Sequence, residues 1–531
     1  MSLPETPEKH ESRLRSGFGA KTAMLSLATL LSRVLGLVRE QLFALTLGAS
    51  AQAEAFVIAY RIPNLLRDLF AEGALSAAFI PAYSRADTEN AQRGFSLARR
   101  LLTLLFLVLT LVCGLGVVAA PLLVHGLASG FGAIEGKSEL ATQLTRVMMP
   151  ILPFVSFAAV AMGMLNSRDR FGLPSLAPAI FNVVNIVIAV GLHALGLSMD
   201  QVAYGWALGA LLGSAAQFAV QWPGLRREGF RFRPDFNFKD PLIRDILTNM
   251  APATIALAAV QINIFISSNY ASTQPSAVAW LNYAFRLLYL PMGLFGVAVG
   301  TIAGARLSRL IASGSPGDAH AQMAQALRLL LFLTLPSALG LICAGQPIVR
   351  LIYEHGAFTA VDTSAVALAL AWMSVGLVAY ASTKVFVPYF YAVKRPRVPL
   401  AASLLAVSAN LLTLALLFES LGYEAAGIGM ALGNLANGAL LLAVYRGPES
   451  LMKALDARFV GSLIFATALM SAVVVAAISW FDPQAPGLAA KVWGGLVPVI
   501  LGAATYLGIA ALLRVPEATR VFEMVRRRVP R

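Results

Sequence analysis

Long apolar runs separated by short polar stretches repeat along the whole chain. A helix of roughly 20 apolar residues crosses a hydrocarbon core of ~30 Å, so each run predicts a transmembrane helix. Fourteen segments qualify: 22–47, 52–83, 97–125, 139–166, 172–197, 200–224, 244–271, 276–306, 320–348, 362–392, 398–419, 424–445, 458–481 and 489–513. The pattern therefore predicts an all-α integral membrane protein.

Composition agrees with this prediction, because 58% of the residues are hydrophobic and only 13% are charged. The longest polar interruptions, 84–96 and 226–243, are too short for a soluble enzyme domain. The N-terminal tail, 1–21, is polar and basic and lacks the apolar core of a removable signal peptide, so the first span is expected to anchor the protein.

The basic residues alternate with the predicted spans. Of the 41 Lys and Arg residues, 29 lie in the tails and even-numbered loops, and the odd-numbered loops hold three, Lys137, Arg350 and Lys491. By the positive-inside rule both termini are cytoplasmic. The net charge of +14 thus reflects membrane topology, and no nucleic-acid partner is expected.

Nine basic residues fall inside predicted spans, where an arginine at the bilayer centre costs roughly 2.5 to 3.5 kcal/mol. They are Arg33, Arg39, Arg61, Arg67, Arg146, Arg244, Arg286, Arg328 and Lys384. Arg244 and Arg328 lie near span ends and are expected to anchor or snorkel. For Arg61, Arg146 and Lys384 the sequence leaves two roles open, anchoring at a span end or lining a polar cavity. The remaining four, Arg33, Arg39, Arg67 and Arg286, lie too deep to snorkel. Arg33, for example, is ~17 Å from the cytoplasmic end of its span. Their depth predicts a polar cavity.

Acidic and polar residues accompany these arginines. Arg33 and Glu40 share one helix face, as do Ser32 and Arg39. In the second span Glu54, Arg61, Asp68 and Glu72 form a stripe, and Pro63 is expected to interrupt that helix. Because the arginine fork donates paired hydrogen bonds to phosphate oxygens, a pyrophosphate is the natural occupant.

Other chemistries are not supported. A P-loop at Gly136–Lys137–Ser138 fails because its first glycine is replaced by Phe131. The five histidines are scattered, and Cys113 and Cys343 lie in apolar runs, so no metal site and no catalytic residue is predicted.

Four sequence blocks carry a family resemblance. They are SRVLGLVRE with AEAFVIAYRIPNLLRDLFAEGALSAAFIPAYSR, then LNSRDRFGLPSLAP, AFRLLYLPMGLFGVAVGT and YEHGAFTAVDT. Together they resemble the MurJ (MviN) family of lipid II flippases, within the superfamily of multidrug and polysaccharide exporters. The resemblance extends from about residue 22 to 514.

The resemblance implies two six-helix lobes around a central cavity, followed by two further helices. The expected organisation is a cytoplasmic tail at 1–21, an N-lobe at 22–225, a cytoplasmic linker or amphipathic segment at 226–243, a C-lobe at 244–446, the last two spans at 447–514 and a basic cytoplasmic tail at 515–531. The implied activity moves lipid II, the undecaprenyl-pyrophosphate-linked peptidoglycan precursor, from the inner to the outer leaflet of the bacterial cytoplasmic membrane by alternating access. The chain is then a transporter rather than an enzyme.

Carried over residue by residue, the resemblance assigns a set of substrate contacts: Arg33, Arg39, Arg67, Arg286, Ser32, Glu40, Glu72, Glu54 and Asn64. Pro63, Pro291 and Lys384 are candidate gating or structural positions. Departures from the family pattern are Asp68, where a second basic residue is common, and Phe285 and Tyr289, which flank Arg286 where relatives carry acids. Ser267 stands where some members have an aspartate linked to sodium binding, so a metal site is not assigned.

No cofactor is expected, and the membrane potential or an ion gradient is the expected driving force. An inside-negative potential favours outward movement of an anion by ~2.3 kcal/mol per charge per 100 mV. The expected partners are lipid II and the cell-wall synthesis machinery, with a monomer sufficing for transport. The alternatives are an exporter of another lipid-linked oligosaccharide or a drug, a polyprenyl-phosphate transferase, which would need an acidic metal cluster, and a scaffold, which would leave four deep arginines without a role.

Overall fold

The computed structural model describes residues 7–70, 74–482 and 485–519. Side chains are described from Leu27 onward in these ranges, except at 68–70, 74, 76–77, 249, 251–260, 262 and 448–450. Helices are the sole regular secondary structure in these described ranges. The predicted all-α membrane fold is confirmed.

The chain divides into two compact units, Met1–Gln261 and Ile262–Arg531. The helices that begin in the first unit are α1 Pro7–Leu47, α2 Ala51–Phe70, α3 Ala74–Glu89, α4 Ala91–Val118, α5 Ala120–Leu127, α6 Lys137–Met148, α7 Ile151–Ser167, α8 Gly172–Ala194, α9 Met199–Ala219, α10 Trp222–Arg227 and α11 Pro241–Ser272. A 3-10 turn, Ser129–Ala133, follows α5. The division falls inside α11, and the lobe limits expected from the sequence stay a prediction.

The helices of the second unit are α12 Ala277–Pro291, α13 Val297–Ala312, α14 Pro316–Tyr353, α15 Ala360–Val375, α16 Leu377–Ala392, α17 Arg397–Leu421, α18 Tyr423–Val444, α19 Pro448–Ala454, α20 Ala457–Ile478 and α21 Leu488–Leu512. A π-helical turn, Met292–Gly296, joins α12 to α13. The hairpin of α20 and α21 packs against α14 around a core that includes Phe332, Phe459 and Tyr506.

Within the described residues, nine helices are long and apolar enough to cross a membrane. The number is ten if α15 and α16, which meet at a 46° bend, form one broken span. The chain is therefore a multi-pass membrane protein. The count of fourteen is consistent with this finding and stays a prediction.

Several predicted spans consist of two helices. Segment 52–83 contains α2 and the start of α3, and segment 139–166 contains α6 and α7, which are separated at Met149 and Pro150. The expected interruption at Pro63 does not occur, since α2 continues through that residue. A proline removes only one backbone hydrogen bond, and neighbouring helices in a membrane protein support the rest of the turn.

Candidate functional site

The first candidate pair lies on α1. Nη2 of Arg39 is 2.5 Å from Oε1 of Glu40, and both side chains are largely buried. The guanidinium carbon of Arg39 lies 5.4 Å from the ring centre of Phe181 on α8. Because a buried charge needs a partner, this pair lets α1 keep an arginine inside the unit.

The other predicted residues of α1 lie one to two turns earlier. Arg33 is exposed in the first unit, and Ser32 is half-buried. The amide nitrogen of Asn182 on α8 donates to the backbone carbonyl of Ser32 at 3.1 Å. Ser32 is thus at the contact between α1 and α8, and Arg33 presents its side chain at the surface of the unit.

An aromatic cluster joins α1, α2 and α9. Phe43 lies 5.0 Å from Phe56 and 5.2 Å from Trp206 between ring centres, and Tyr60 stacks on Phe56. The indole nitrogen of Trp206 donates to the hydroxyl of Thr46 at 3.0 Å. This cluster orients the half of α2 that leads towards Asn64 and Arg67.

Asn64 and Arg67 are half-buried on the second half of α2. The side-chain oxygen of Asn64 is buried and has no hydrogen-bond partner within the described part of the chain. Such an oxygen is costly to leave unpaired, which makes this position a candidate for a ligand donor. Pro63 is buried next to it, whereas Glu72 and the side chain of Asp68 lie outside the described residues.

Glu54 takes part in a contact that the sequence pattern does not predict. Its Oε2 lies 2.5 Å from Nζ of Lys137, and each side chain is 1% exposed. The ammonium of Lys137 also lies 4.0 Å from the ring centre of Phe131. This pair joins the beginning of α2 to the beginning of α6. The sequence places Lys137 in a predicted loop, and nothing in the local pattern brings residues 54 and 137 together, so this ion pair was not predicted.

In the second unit, Arg286 is half-buried on α12. Phe285 and Tyr289 flank it, both exposed, with ring centres 6.0 Å apart. The aromatic rings provide flat surfaces for stacking, and the guanidinium between them provides a positive charge for an anion. The two residues that depart from the family pattern therefore lie next to the predicted arginine.

Pro291 ends α12 and is followed by the π-helical turn. Single π turns widen a helix locally and frequently occur at functional sites, so the structure places a helix irregularity directly after this proline. Further along, a Cβ on Gly300 would lie 2.6 Å from the backbone oxygen of Lys384 on α16. Nζ of Lys384 lies 5.2 Å from the ring centre of Tyr380. Gly300 therefore permits the close contact of α13 with the turn that carries Lys384.

Ser267 lies where the family resemblance implies, for some members, an aspartate linked to sodium binding. The amide nitrogen of Asn410 on α17 donates to Oδ1 of Asn263 at 2.7 Å and to the hydroxyl of Ser267 at 2.9 Å. These groups carry no negative charge, and the oxygens of Asn263 and Ser267 face an N–H donor. The side-chain oxygen of Asn410 is buried without a hydrogen-bond partner within the described residues. No group of three acidic, histidine or cysteine residues that could hold a metal occurs in the described part of the chain, and no sodium site is assigned.

Two ion-pair clusters lie at helix ends outside the spans. Between α7 and α8, Arg168 pairs with Asp87 at 2.5 Å and lies 4.3 Å from the ring centre of Phe95. Burial alone would lower the pKa of Arg168, but its hydrogen bonds to Asp87 raise that pKa above the ordinary value. The cluster ties the loops at one end of the first unit together.

After α14, the carboxylate of Glu354 lies 3.3 Å from both Arg350 and Lys491 and accepts a hydrogen bond from Thr363 at 2.7 Å. Burial would raise the pKa of Glu354, but the Thr363 hydroxyl and the two cations outweigh it, and the pKa is lowered. Arg350 also donates to the carbonyl of Ala485 at 2.7 Å. This cluster connects α14 to the beginning of α21.

Arg328 shows a third arrangement. Its guanidinium pairs with Glu517 at 2.7 Å, donates to the carbonyl of Ala454 at 2.9 Å and lies 4.0 Å from the ring centre of Phe459. The sequence predicted an anchoring role near a span end. The structure gives this arginine specific partners on three segments of the second unit.

Comparison with known proteins gives a consistent result. The family model described as "Lipid II flippase MurJ" matches residues 43–490. The chain belongs to the MurJ family. A probable lipid II flippase MurJ from Vibrio cholerae is 34% identical over 514 residues, covering 93% of this chain and 95% of the relative. The lipid II flippase MurJ of Burkholderia cenocepacia is 35% identical over 422 residues, covering 78% and 81%.

Solved structures agree on the fold. The structure of lipid II flippase MurJ in an inward closed conformation has a TM-score of 0.76 at 24% identity, covering 92% of this chain and 98% of that one. An inward-facing multidrug transporter of the MATE family has a TM-score of 0.63 at 17% identity, covering 82% and 98%. At these identities the likeness establishes the membrane transporter fold expected for the family.

Proposed function

We propose that this chain flips lipid II, which its relatives' names give as their substrate, and that it does so across the bacterial cytoplasmic membrane. The observation that carries this proposal is membership of the MurJ family across residues 43–490, supported by relatives that align over most of their own length. The chain is a transporter, and its chemistry is binding and release rather than bond making. The substrate keeps its polyprenyl tail in lipid while its pyrophosphate and sugar headgroup crosses.

The proposed pyrophosphate contacts are Arg33, Arg39 and Arg67 in the first unit and Arg286 in the second. Arginine stays charged at any physiological pH and donates two parallel hydrogen bonds to phosphate oxygens. Arg39 is accompanied by Glu40, which offsets part of its charge and so favours release as well as binding. Asn64 contributes an amide oxygen that can accept a hydrogen bond from a substrate hydroxyl or amide.

We further propose that both termini lie in the cytoplasm, since the tails and even-numbered loops hold most of the basic residues. The membrane potential then assists outward movement of the anionic headgroup. Pro291 and the π turn after it supply a place where α12 and α13 can flex during the cycle. The chain is expected to act as a monomer alongside the cell-wall synthesis machinery that consumes its product.

The test is complementation of a bacterial strain depleted of its own lipid II flippase, with lipid II measured in the outer leaflet. We expect the wild-type chain to restore flipping and Arg286→Ala to abolish it at equal expression. Arg309→Ala is the matched control, because Arg309 is an exposed arginine on α13 that donates to the carbonyl of Ala305 on its own helix. Arg286→Lys keeps the charge but loses the paired hydrogen bonds, and an intermediate rate is expected.

The outcomes separate two ideas. If the wild-type chain fails to restore growth while it exports a drug or another lipid-linked oligosaccharide, lipid II is not the substrate. If the wild-type chain and Arg286→Ala both flip lipid II normally, the substrate stands and the assignment of Arg286 fails.

A further inference from the structure

A basic and aromatic segment connects α10 to α11. Its residues 226–240, here called the linker segment, run without regular structure after Arg227. Phe230 is completely buried, with its ring centre 5.6 Å from that of Phe95 and 6.4 Å from that of Trp222. The backbone N–H of Asp235 donates to the hydroxyl of Thr103 at 3.1 Å. The linker segment is therefore fixed on the first unit at two points.

Each acid of the linker segment is engaged by an arginine elsewhere in the first unit. Glu228 pairs with Arg170 at 2.6 Å. Asp235 pairs with Arg100 of α4 at 2.9 Å, and Asp240 pairs with the same guanidinium. The three negative charges of the segment are thus turned towards the protein.

The basic residues of the segment have the opposite arrangement. They are all exposed, and none has a carboxylate within ion-pair distance among the described residues: Arg226, Arg227, Arg231, Arg233 and Lys239. The guanidinium carbon of Arg226 lies 5.9 Å from the ring centre of Trp222. The segment consequently separates its charges, with acids facing the protein and the four cations from Arg227 to Lys239 exposed at its surface.

Two aromatic side chains are exposed among these cations. Phe232 is 40% exposed and Phe236 is 65% exposed, and the ring centre of Phe236 lies 6.2 Å from that of Phe238. A phenyl ring left in water would be unfavourable, but an aromatic ring beside cations is typical of the membrane interface. Proximity to that interface follows from the contacts of the segment with Arg100 and Thr103 in the first half of α4, a helix long and apolar enough to cross a membrane.

We propose that residues 231–239 form a docking surface for the anionic headgroups of the surrounding membrane, with Phe232 and Phe236 inserted at headgroup level. Cations near an anionic lipid surface are attracted within about a Debye length, and aromatic rings contribute apolar contact below the phosphates. The surface holds the end of the first unit that precedes α11 against the bilayer. This inference does not depend on the transported substrate.

The test measures the depth of a spin label at position 236 in reconstituted bilayers. Phe236→Cys is prepared in a variant whose Cys113 and Cys343 are alanine, and the ratio of accessibility to oxygen over a water-soluble nickel chelate is recorded. Bilayers of phosphatidylcholine alone are compared with bilayers containing phosphatidylglycerol. Asn237→Cys is the matched control, because its side chain is also exposed and directly follows position 236 in the same stretch without regular structure.

We expect the ratio at position 236 to rise several-fold when phosphatidylglycerol is present, and to exceed the ratio at 237. Adding Arg231→Gln, Arg233→Gln and Lys239→Gln is expected to abolish this rise, as is high salt, which screens the charges. These residues are exposed, and the lipid comparison on the labelled segment with all its charges in place needs no charge variant. A label at 236 that stays accessible to the nickel chelate in both bilayers would overturn the proposal. That result is expected if the segment is a solvated loop or a binding surface for an acidic protein.

Discussion

The buried pair of Glu54 and Lys137 allows a quantitative prediction about stability. With each side chain 1% exposed and a distance of 2.5 Å, neither charge can turn to water when its partner is removed. Breaking such a pair costs about 3–5 kcal/mol, because the remaining charge is buried without compensation. Lys137→Met also removes the contact with Phe131, for which a desolvated cation–π interaction is worth about 2 kcal/mol.

The double variant Glu54→Leu/Lys137→Met completes a thermodynamic cycle. Since it leaves neither charge of the pair buried, we expect stability close to that of the wild type or greater by up to about 4 kcal/mol, with the lost Phe131 contact offsetting about 2 kcal/mol of any gain. The assay is unfolding of purified protein in detergent, followed by heat or denaturant, for the wild type, both single variants and the double variant. Arg93→Met is the control, since it breaks an exposed pair with Glu89 and is expected to cost about 0–1 kcal/mol.

The reasoning would be refuted if either single variant were no less stable than the Arg93→Met control. It would equally fail if the double variant were destabilised by the sum of the two single changes, because additivity would mean that the two charges do not interact.

Two other predictions concern the second unit. Glu354→Gln should lower the melting temperature at pH 7. The folded pKa of Glu354 lies below the unfolded one, so the stability from its carboxylate is full above the unfolded pKa and is lost as the pH falls through the folded pKa. The difference in melting temperature should therefore shrink as the pH falls below 4.5, the ordinary pKa of a glutamate. An unchanged difference at low pH would contradict the hydrogen bond with Thr363 and the neighbouring cations as its source. Gly300→Ala should destabilise by about 1–3 kcal/mol, because its Cβ would lie 2.6 Å from the oxygen of Lys384, whereas Gly461→Ala meets nothing within 4 Å and should be neutral or stabilising.

Much of this protein follows from the sequence alone. Hydrophobic runs of span length act locally, since each helix partitions into lipid by its own composition, and they predict the all-helical membrane fold without any knowledge of packing. The motif blocks around Arg33, Arg67 and Arg286 identified the family, because each block is a contiguous order of charged and small residues that can be read directly from the sequence. The assignment of those arginines to the substrate stays a prediction.

Tertiary structure alone decided which charges meet. Glu54 and Lys137 are 83 positions apart, Arg100 contacts two acids about 135 positions later, and no local pattern relates them. Partner choice depends on which helix faces pack together, and a shift of one residue turns a side chain on a helix by ~100°. The chain's composition thus specifies that it lies in the membrane, whereas helix packing determines which of its charges are neutralised inside and which, like those of the linker segment, remain at the surface.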